Sequence, residues 1–466
     1  MDRIEELLQR KKEVLSGNKE GVDMQHNLQK LTARERIHNL LDEDSFVEIG
    51  VFSGNSSSGT ITGYGTVDGR LVYVISQDYS YRGGAVNARN TQKTVNTVNM
   101  ALKMGAPLIY IFDSVGIDAS ENLKALRYYG ELVKSVSMLS GVVPTFAVAA
   151  GPCTGMAAVL ATLCDFTILC SNSGEFYVND AEKLAEASGK YVEYNGYAGS
   201  ESASQTGSIK LTVKDDKEAL MTVKKLLDYI PSNNLAFPPV SDININGSFS
   251  LELKDQQDME SYSIEEIIES AADKDSIIEF AKEYEDSTLT ALIKINGRTA
   301  GVVGIGKKST PLSSKSIEKV TGFVKLCDSF NIPLITVVKH AQSFGASAVE
   351  EKEGLALSLS KLMYSLAQAV VPKISLITGK ALGTGYITFC SKESAYDMVL
   401  AWPSASVALS LNSLKEAGNI YSAAEEGLVD DVILPSETKL RLYMALDMLY
   451  TKREIKYPKK HGSALI

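Results

Sequence analysis

Internal repetition constrains the fold of this chain more than any other feature. DEDSFVE at 42–48 resembles DKDSIIE at 273–279, an offset of 231 residues. VDGR at 67–70 resembles INGR at 295–298, and GPCTG at 151–155 lies opposite GKALG at 379–383, both at an offset of 228. Between them, APLI at 106–109 matches IPLI at 332–335, and the VP pairs at 143–144 and 371–372 match as well. Five matches in one order, at nearly one offset, describe two homologous domains. We place them at 1–231 and 262–466, joined by a linker over 232–261 that is rich in Pro, Asn, Ser and Asp.

Each half alternates strand and helix signals. An apolar run follows the DGR or NGR turn (LVYVIS, TAGVVGIG), and then a helical segment (TVNTVNMALKMG, IEKVTGFVKLCDSF). A β-rich run (PLIYIFD, PLITVVK) and a longer helix (NLKALRYYGELVKSVSML, EKEGLALSLSKLMYSLAQA) lead to TFAVAA or KISLIT and its glycine turn. This alternation predicts an α/β architecture in both halves.

The run VVPTFAVAAGPCTGMAAVLATLC, 142–164, carries no charge. Pro144, Gly151 and Pro152 interrupt it, and its second copy contains lysines, so it does not read as a membrane span. G-x-C-x-G would suit a thiol nucleophile at Cys153, but the copy has Ala381 there and no histidine stands in a partner motif. Both copies instead keep a strand that ends in spaced glycines. Such turns free backbone N–H groups where a helix begins, and those groups can hold an anion or a developing oxyanion. Gly155 and Met156 would form one cup, Thr384 and Gly385 the other. Tight strand–helix packing explains the same glycines equally well.

The rest of the chain excludes several function classes. A net charge of −10 argues against nucleic-acid binding. The five cysteines lack CxxC spacing and read as buried thiols. The histidines, His26, His38, His340 and His461, lack HxxxH or HExxH, so no metal is expected. The N-terminus reads as a charged amphipathic helix without a signal-peptide core, which makes a cytoplasmic protein the expectation. ALKM at 101–104 imitates a biotinylation motif, but Lys103 ends a helical run and not a hairpin.

The segments QHNLQKLTARERIHNLLDEDSFVEIG, TGYGTVDGR, SQDYSYRGGA, MGAPLIYIFDSVG, GVVPTFAVAAGPCTGMA, CDSFNIPLITVV, AVVPKISLITGKALGTGY and AWPSA resemble the biotin-dependent acyl-CoA carboxyltransferases. That family includes propionyl-CoA carboxylase β subunits and the carboxyltransferase subunits of sodium-pumping decarboxylases. The resemblance spans almost the whole chain. It implies two tandem crotonase-like (ClpP/crotonase) domains, with acyl-CoA docking on the first and carboxybiotin on the second domain of a partner subunit. Biotin would arrive on a separate biotin carboxyl carrier protein. Further partners would be a biotin carboxylase or the membrane subunits of a decarboxylase, which leaves open a location peripheral to a membrane complex. A homo-hexamer built as a trimer of dimers, or a hetero-oligomer with a paralogue, is implied.

The resemblance also assigns residues. The family's GPCAGGA falls on 151–157, placing Gly151 in the turn and Gly155 and Met156 at the thioester oxyanion. Its KAYGGAY falls on 380–386, placing Thr384 and Gly385 at the biotin oxyanion, beside Gly383 and Tyr386. Ile387 takes the position associated with acyl choice, and Lys93 a basic position near the CoA-binding helix. Four loops depart from the family: VGIDASENL lacks its arginine, KHAQSFGAS replaces an acidic Gly–Pro loop, and NGYAGSESASQTG and GKK replace two others. The departures leave two alternatives: a catalytically weak structural subunit of such an assembly, or a biotin-independent crotonase-type acyl-CoA enzyme.

Overall fold

The computed structural model describes residues 2–53, 59–194, 197–241, 252–255, 258–308, 311–341, 344, 348–352, 354–414 and 419–459. It divides into two compact units, Met1–Ala236 and Phe237–Ile466. The segment expected as a linker is shared between them. Asn234 donates its N–H to the Val142 carbonyl in the first unit, whereas Ser241 donates to Gly297 and Leu253 is buried in the second. Positions 242–251 and 256–257 of that segment lie outside the described residues.

In the first unit the strands are β1 (Val47–Glu48), β2 (Thr60–Val67), β3 (Arg70–Gln77), β4 (Leu108–Phe112), β5 (Thr145–Ala149), β6 (Pro152–Thr154), β7 (Phe166–Cys170), β8 (Glu175–Tyr177) and β9 (Leu211–Val213). The second has β10 (Ile278–Glu279), β11 (Thr288–Ile295), β12 (Arg298–Ile305), β13 (Leu334–Ala341), β14 (Lys373–Leu382), β15 (Met398–Ala401), β16 (Ser406–Ala408) and β17 (Asp431–Val432). Their main sheets run β1-β2-β3-β4-β5-β7-β9 and β10-β11-β12-β13-β14-β15-β17. In both, the first three strands are antiparallel and every later pairing is parallel. β4, β5 and β7 are buried along their whole lengths, as parallel strands covered on both faces must be.

The repeated sequence performs the same local work twice. The two-residue loops Asp68-Gly69 and Asn296-Gly297 have positive φ at both positions, the turn that matches strand twist in a tight hairpin. Asp42 holds the first loop: its carboxylate accepts from Thr66 Oγ1 at 2.6 Å and from the N–H groups of Asp68 and Gly69 at 2.9 Å. Asp273 holds the second, accepting from the N–H groups of Asn296 at 3.0 Å and Gly297 at 2.8 Å. A capping box starts the preceding helix in each unit, Thr32 with Glu35 and Ser263 with Glu266.

The third shared feature positions the glycine turns. After β5 the chain pairs again as β6 with β8; after the core part of β14 it continues along β16. A short helix then starts in each unit, Met156–Thr162 and Gly383–Phe389. Both turns therefore emerge at the carboxyl ends of parallel strands, where open α/β sheets present their ligand sites.

Candidate functional site

The first turn is built from three loops. Gly83 and Gly84 follow β3, Ser114 to Gly116 follow β4, and 150–156 follow β5. Ala150 donates its N–H to the Phe112 carbonyl at 3.0 Å, and Ser114 donates to the Pro152 carbonyl at 2.9 Å. Between these bonds Gly151 faces Asp113; a Cβ there would stand 1.9 Å from the Asp113 carboxylate oxygen. Gly151 thus serves close packing. Gly155 has φ +61 and open space around its Cα, so backbone conformation is what it supplies.

The Gly155 N–H donates to the Tyr177 carbonyl at 2.8 Å, which removes it from the expected cup. Met156 opens the following helix with its side chain 39% exposed, and its N–H has no acceptor among the described residues. In the first unit the expected pair therefore reduces to a conformational glycine and one open amide. Gly83 and Gly84 also adopt positive φ, in the loop beyond β3. The sequence signal for them is a Gly-Gly pair in the loop that follows a buried strand, and no part was expected of it.

The second turn repeats the design with more room. Gly383 has φ +47, and a Cβ on Gly385 would lie 2.2 Å from the Ala341 carbonyl oxygen. The N–H groups of Thr384 and Gly385 have no acceptor among the described residues. Gly383 and Thr384 line a cleft of about 700 Å³ whose walls include Phe344, Leu355, Leu359, Leu409 and Leu411. Tyr386 turns inward: it is buried and donates its hydroxyl to the Leu428 carbonyl at 2.9 Å, and burial raises its pKa. Ile387 stays on the surface, 47% exposed.

Lys93 belongs elsewhere. It is buried, its ammonium donates to the Thr60 carbonyl at 2.7 Å, and burial lowers its pKa to about 8. Lys319, at the matching place in the second unit, donates to the Thr288 carbonyl at 2.9 Å and is likewise lowered to about 8 by burial. A lysine that reaches the matching strand carbonyl in both halves, with a second bond from Lys319 to the Glu285 carbonyl at 2.6 Å, fastens helix to sheet. It presents no charge at the surface for a CoA phosphate.

Cys153 is fully buried, and burial pushes its thiol pKa well up, so it is no nucleophile. All five cysteines are free and buried. Lys103 sits in the last turn of the helix Ala88–Met104, not on a hairpin. No helix among the described residues is long and apolar enough to cross a membrane.

Two α/β units with the same sheet order, each running a parallel strand into a glycine turn and a short helix, define a duplicated crotonase-like fold. Residues 24–409 and 410–464 match the carboxyl transferase domain, and the chain belongs to that family, the biotin-dependent acyl-CoA carboxyltransferases. It is 32% identical to the methylmalonyl-CoA decarboxylase subunit alpha of Propionigenium modestum, covering 98% of each chain. It is also 32% identical to the methylmalonyl-CoA carboxyltransferase 12S subunit of Propionibacterium freudenreichii subsp. shermanii, over 99% of this chain and 97% of that one. Its fold matches a transcarboxylase 12S crystal structure, a hexamer with methylmalonyl-coenzyme A and methylmalonic acid bound, at a TM-score of 0.92. That match is 30% identical and covers 100% of this chain and 99% of the other.

Proposed function

We propose that this chain transfers a carboxyl group between biotin carried on a separate protein and a short-chain acyl-CoA. The acyl thioester would sit at the Met156 turn of the first unit, and the biotin ring at the Thr384–Gly385 turn of the second. The observation that carries this reading is the pair of turns: equivalent in topology, with one N–H group in the first (Met156) and two in the second (Thr384, Gly385) that have no acceptor among the described residues, within a family whose reaction develops negative oxygens. Preorganised amides stabilise such charge without a side-chain acid. The cleft of about 700 Å³ lined by Gly383 and Thr384, which mixes leucine side chains with the polar Glu351, Ser410 and Asn412, has room for a small bicyclic urea with an apolar body and polar edges. Biotin, when bound there, supplies the carboxyl carrier; the chain's own part is to orient both partners and to polarise their oxygens.

Like the 12S structure, the chain would assemble as a hexamer. Its partners would be a biotin carrier with either a biotin carboxylase or a decarboxylase's membrane subunits. The test is decarboxylation of malonyl-CoA and methylmalonyl-CoA by the purified chain with free biotin. Biotin-dependent turnover supports the reading. An inert protein that binds no acyl-CoA across a wider panel would make it a structural subunit, and consumption without biotin would make it a crotonase-type enzyme.

A further inference from the structure

We propose that a buried charge quartet, Lys30, Arg36, Asp113 and Asp216, positions the Gly151–Met156 turn. The functional part of this proposal rests on the acyl-CoA reading of that turn; the structural part does not. Asp113 is wholly buried and lies against Gly151 at the root of the turn. Its two oxygens accept from Lys30 Nζ and Arg36 Nη1, both at 2.8 Å, and Gln25 Nε2 donates to one of them at 3.3 Å. Arg36 donates its Nε to Asp216 at 2.8 Å and reaches the Ala150 carbonyl through Nη2 at 3.3 Å. Arg36 therefore grips the turn's root twice, once through Asp113 and once directly at Ala150. Two cations and two carboxylates balance, so no net charge is buried.

The second unit acts as an internal control. Its matching helix carries Ile267 where the first carries Arg36, and Thr438 where the first carries Asp216; Lys339 stands in place of Asp113. Ile267 and Trp402 are buried there, Trp402 donates its indole N–H to Thr438 Oγ1 at 3.1 Å, and the Lys339 ammonium goes to the Tyr262 carbonyl. The same sheet order and the same kind of turn form without the quartet. Buried ion pairs can often be replaced by apolar groups with little loss of stability, so the fold alone does not explain them. What distinguishes the first unit is a carboxylate pressed against its turn glycine, where the second presses the backbone carbonyl of Lys339 against Gly379. The N-terminal segment 25–36, which supplies Gln25, Lys30 and Arg36, thereby becomes part of the site's support.

The test compares Arg36→Lys, which keeps the charge but loses the planar fork, with the charge-balanced pair Arg36→Met/Asp216→Asn. Amide hydrogen exchange is followed in peptides covering 150–158 and, as control, 378–386. Exchange about tenfold faster in the first peptide alone, with a cooperative melt retained, is the expected result. Unchanged exchange at 150–158, or an equal rise throughout the first unit, overturns the proposal. In the decarboxylation assay the variants should lose about tenfold in kcat while KM stays within about twofold, the mark of misaligned donors and not of lost binding. A rise in KM with kcat intact overturns the catalytic part. An inert wild-type protein would defeat the functional reading above, and the exchange result would still decide the positioning one.

Discussion

At Gly385 the backbone leaves no room for a side chain, since a Cβ would meet the Ala341 carbonyl at 2.2 Å; at Gly155 it leaves room, and only φ is demanding. The two glycines therefore fail differently. Gly155→Ala should lower the unfolding free energy by about 1–3 kcal/mol, the cost of holding an alanine at φ +61 and ψ −128, a backbone region that glycine alone adopts readily. Gly385→Ala should cost more, because a backbone carbonyl cannot rotate away. Urea unfolding of both variants checks the order, and equal losses would contradict the contact. Lys93 makes a prediction about pH. Below about 8 the folded and unfolded chains both carry its proton. Between about 8 and the ordinary value of 10.5 only the unfolded chain carries it, so this group adds stability as pH rises through that window. Relative to Lys93→Met, the wild-type chain should therefore gain stability from pH 8 to 10.5. Denaturant melts at three pH values measure this, and a constant difference would mean that the ammonium is not held in the protein interior. Nothing in the sequence around Lys93 announced its strap, because the acceptor lies 33 residues away on the Thr60 carbonyl.

Among the elements, the hairpins were the most legible. Aspartate and serine at fixed spacing, followed by DG or NG, make a local constraint that sequence shows directly. The Thr66 hydroxyl, followed by the N–H groups of the turn, holds the Asp42 carboxyl below its usual range. Asp42→Ala should cost about 0.5–1.5 kcal/mol, because water can replace the carboxylate at its exposed turn N–H groups, and Asp273→Ala, whose turn bonds are partly buried, about 1–3 kcal/mol. Circular-dichroism melts would register the loss; no change in either variant would deny the hairpin anchors a structural role. The long helices were legible from their apolar period, but one began earlier than the pattern suggested. Its start is set by Asn87, whose side chain accepts from the Arg89 and Asn90 N–H groups. The small pairings β6–β8 and β14–β16 were not legible. Three residues are too few for a periodic signal, and the partner strands are distant in sequence. These pairings aim the turns, so sequence located the glycines without revealing that the Gly155 amide is already engaged.

On the scale of the whole chain, duplication was enough to announce two α/β units, because a repeated order of turns and strands requires a repeated topology. Sequence could not show that the copies differ beneath their turns, since ionic support in one unit and apolar support in the other depend on residues far apart. The proposed division of labour predicts an asymmetric response to equivalent damage. Gly385→Ala displaces an amide-bearing turn in the second unit only, so acyl-CoA should bind with unchanged affinity while biotin-dependent turnover falls at least about a hundredfold, the loss typical of one misplaced oxyanion donor. Replacing Met156 by proline removes the open N–H of the first turn, at a helix position that tolerates proline. That variant should suffer a comparable loss of turnover with a cooperative melt retained. Titrating acyl-CoA by calorimetry while following turnover in parallel separates the two cases. If Gly385→Ala abolished acyl-CoA binding, the second unit would hold the thioester and the assignment of the two turns would be reversed. If both variants kept full turnover, neither turn would lie at the reaction centre.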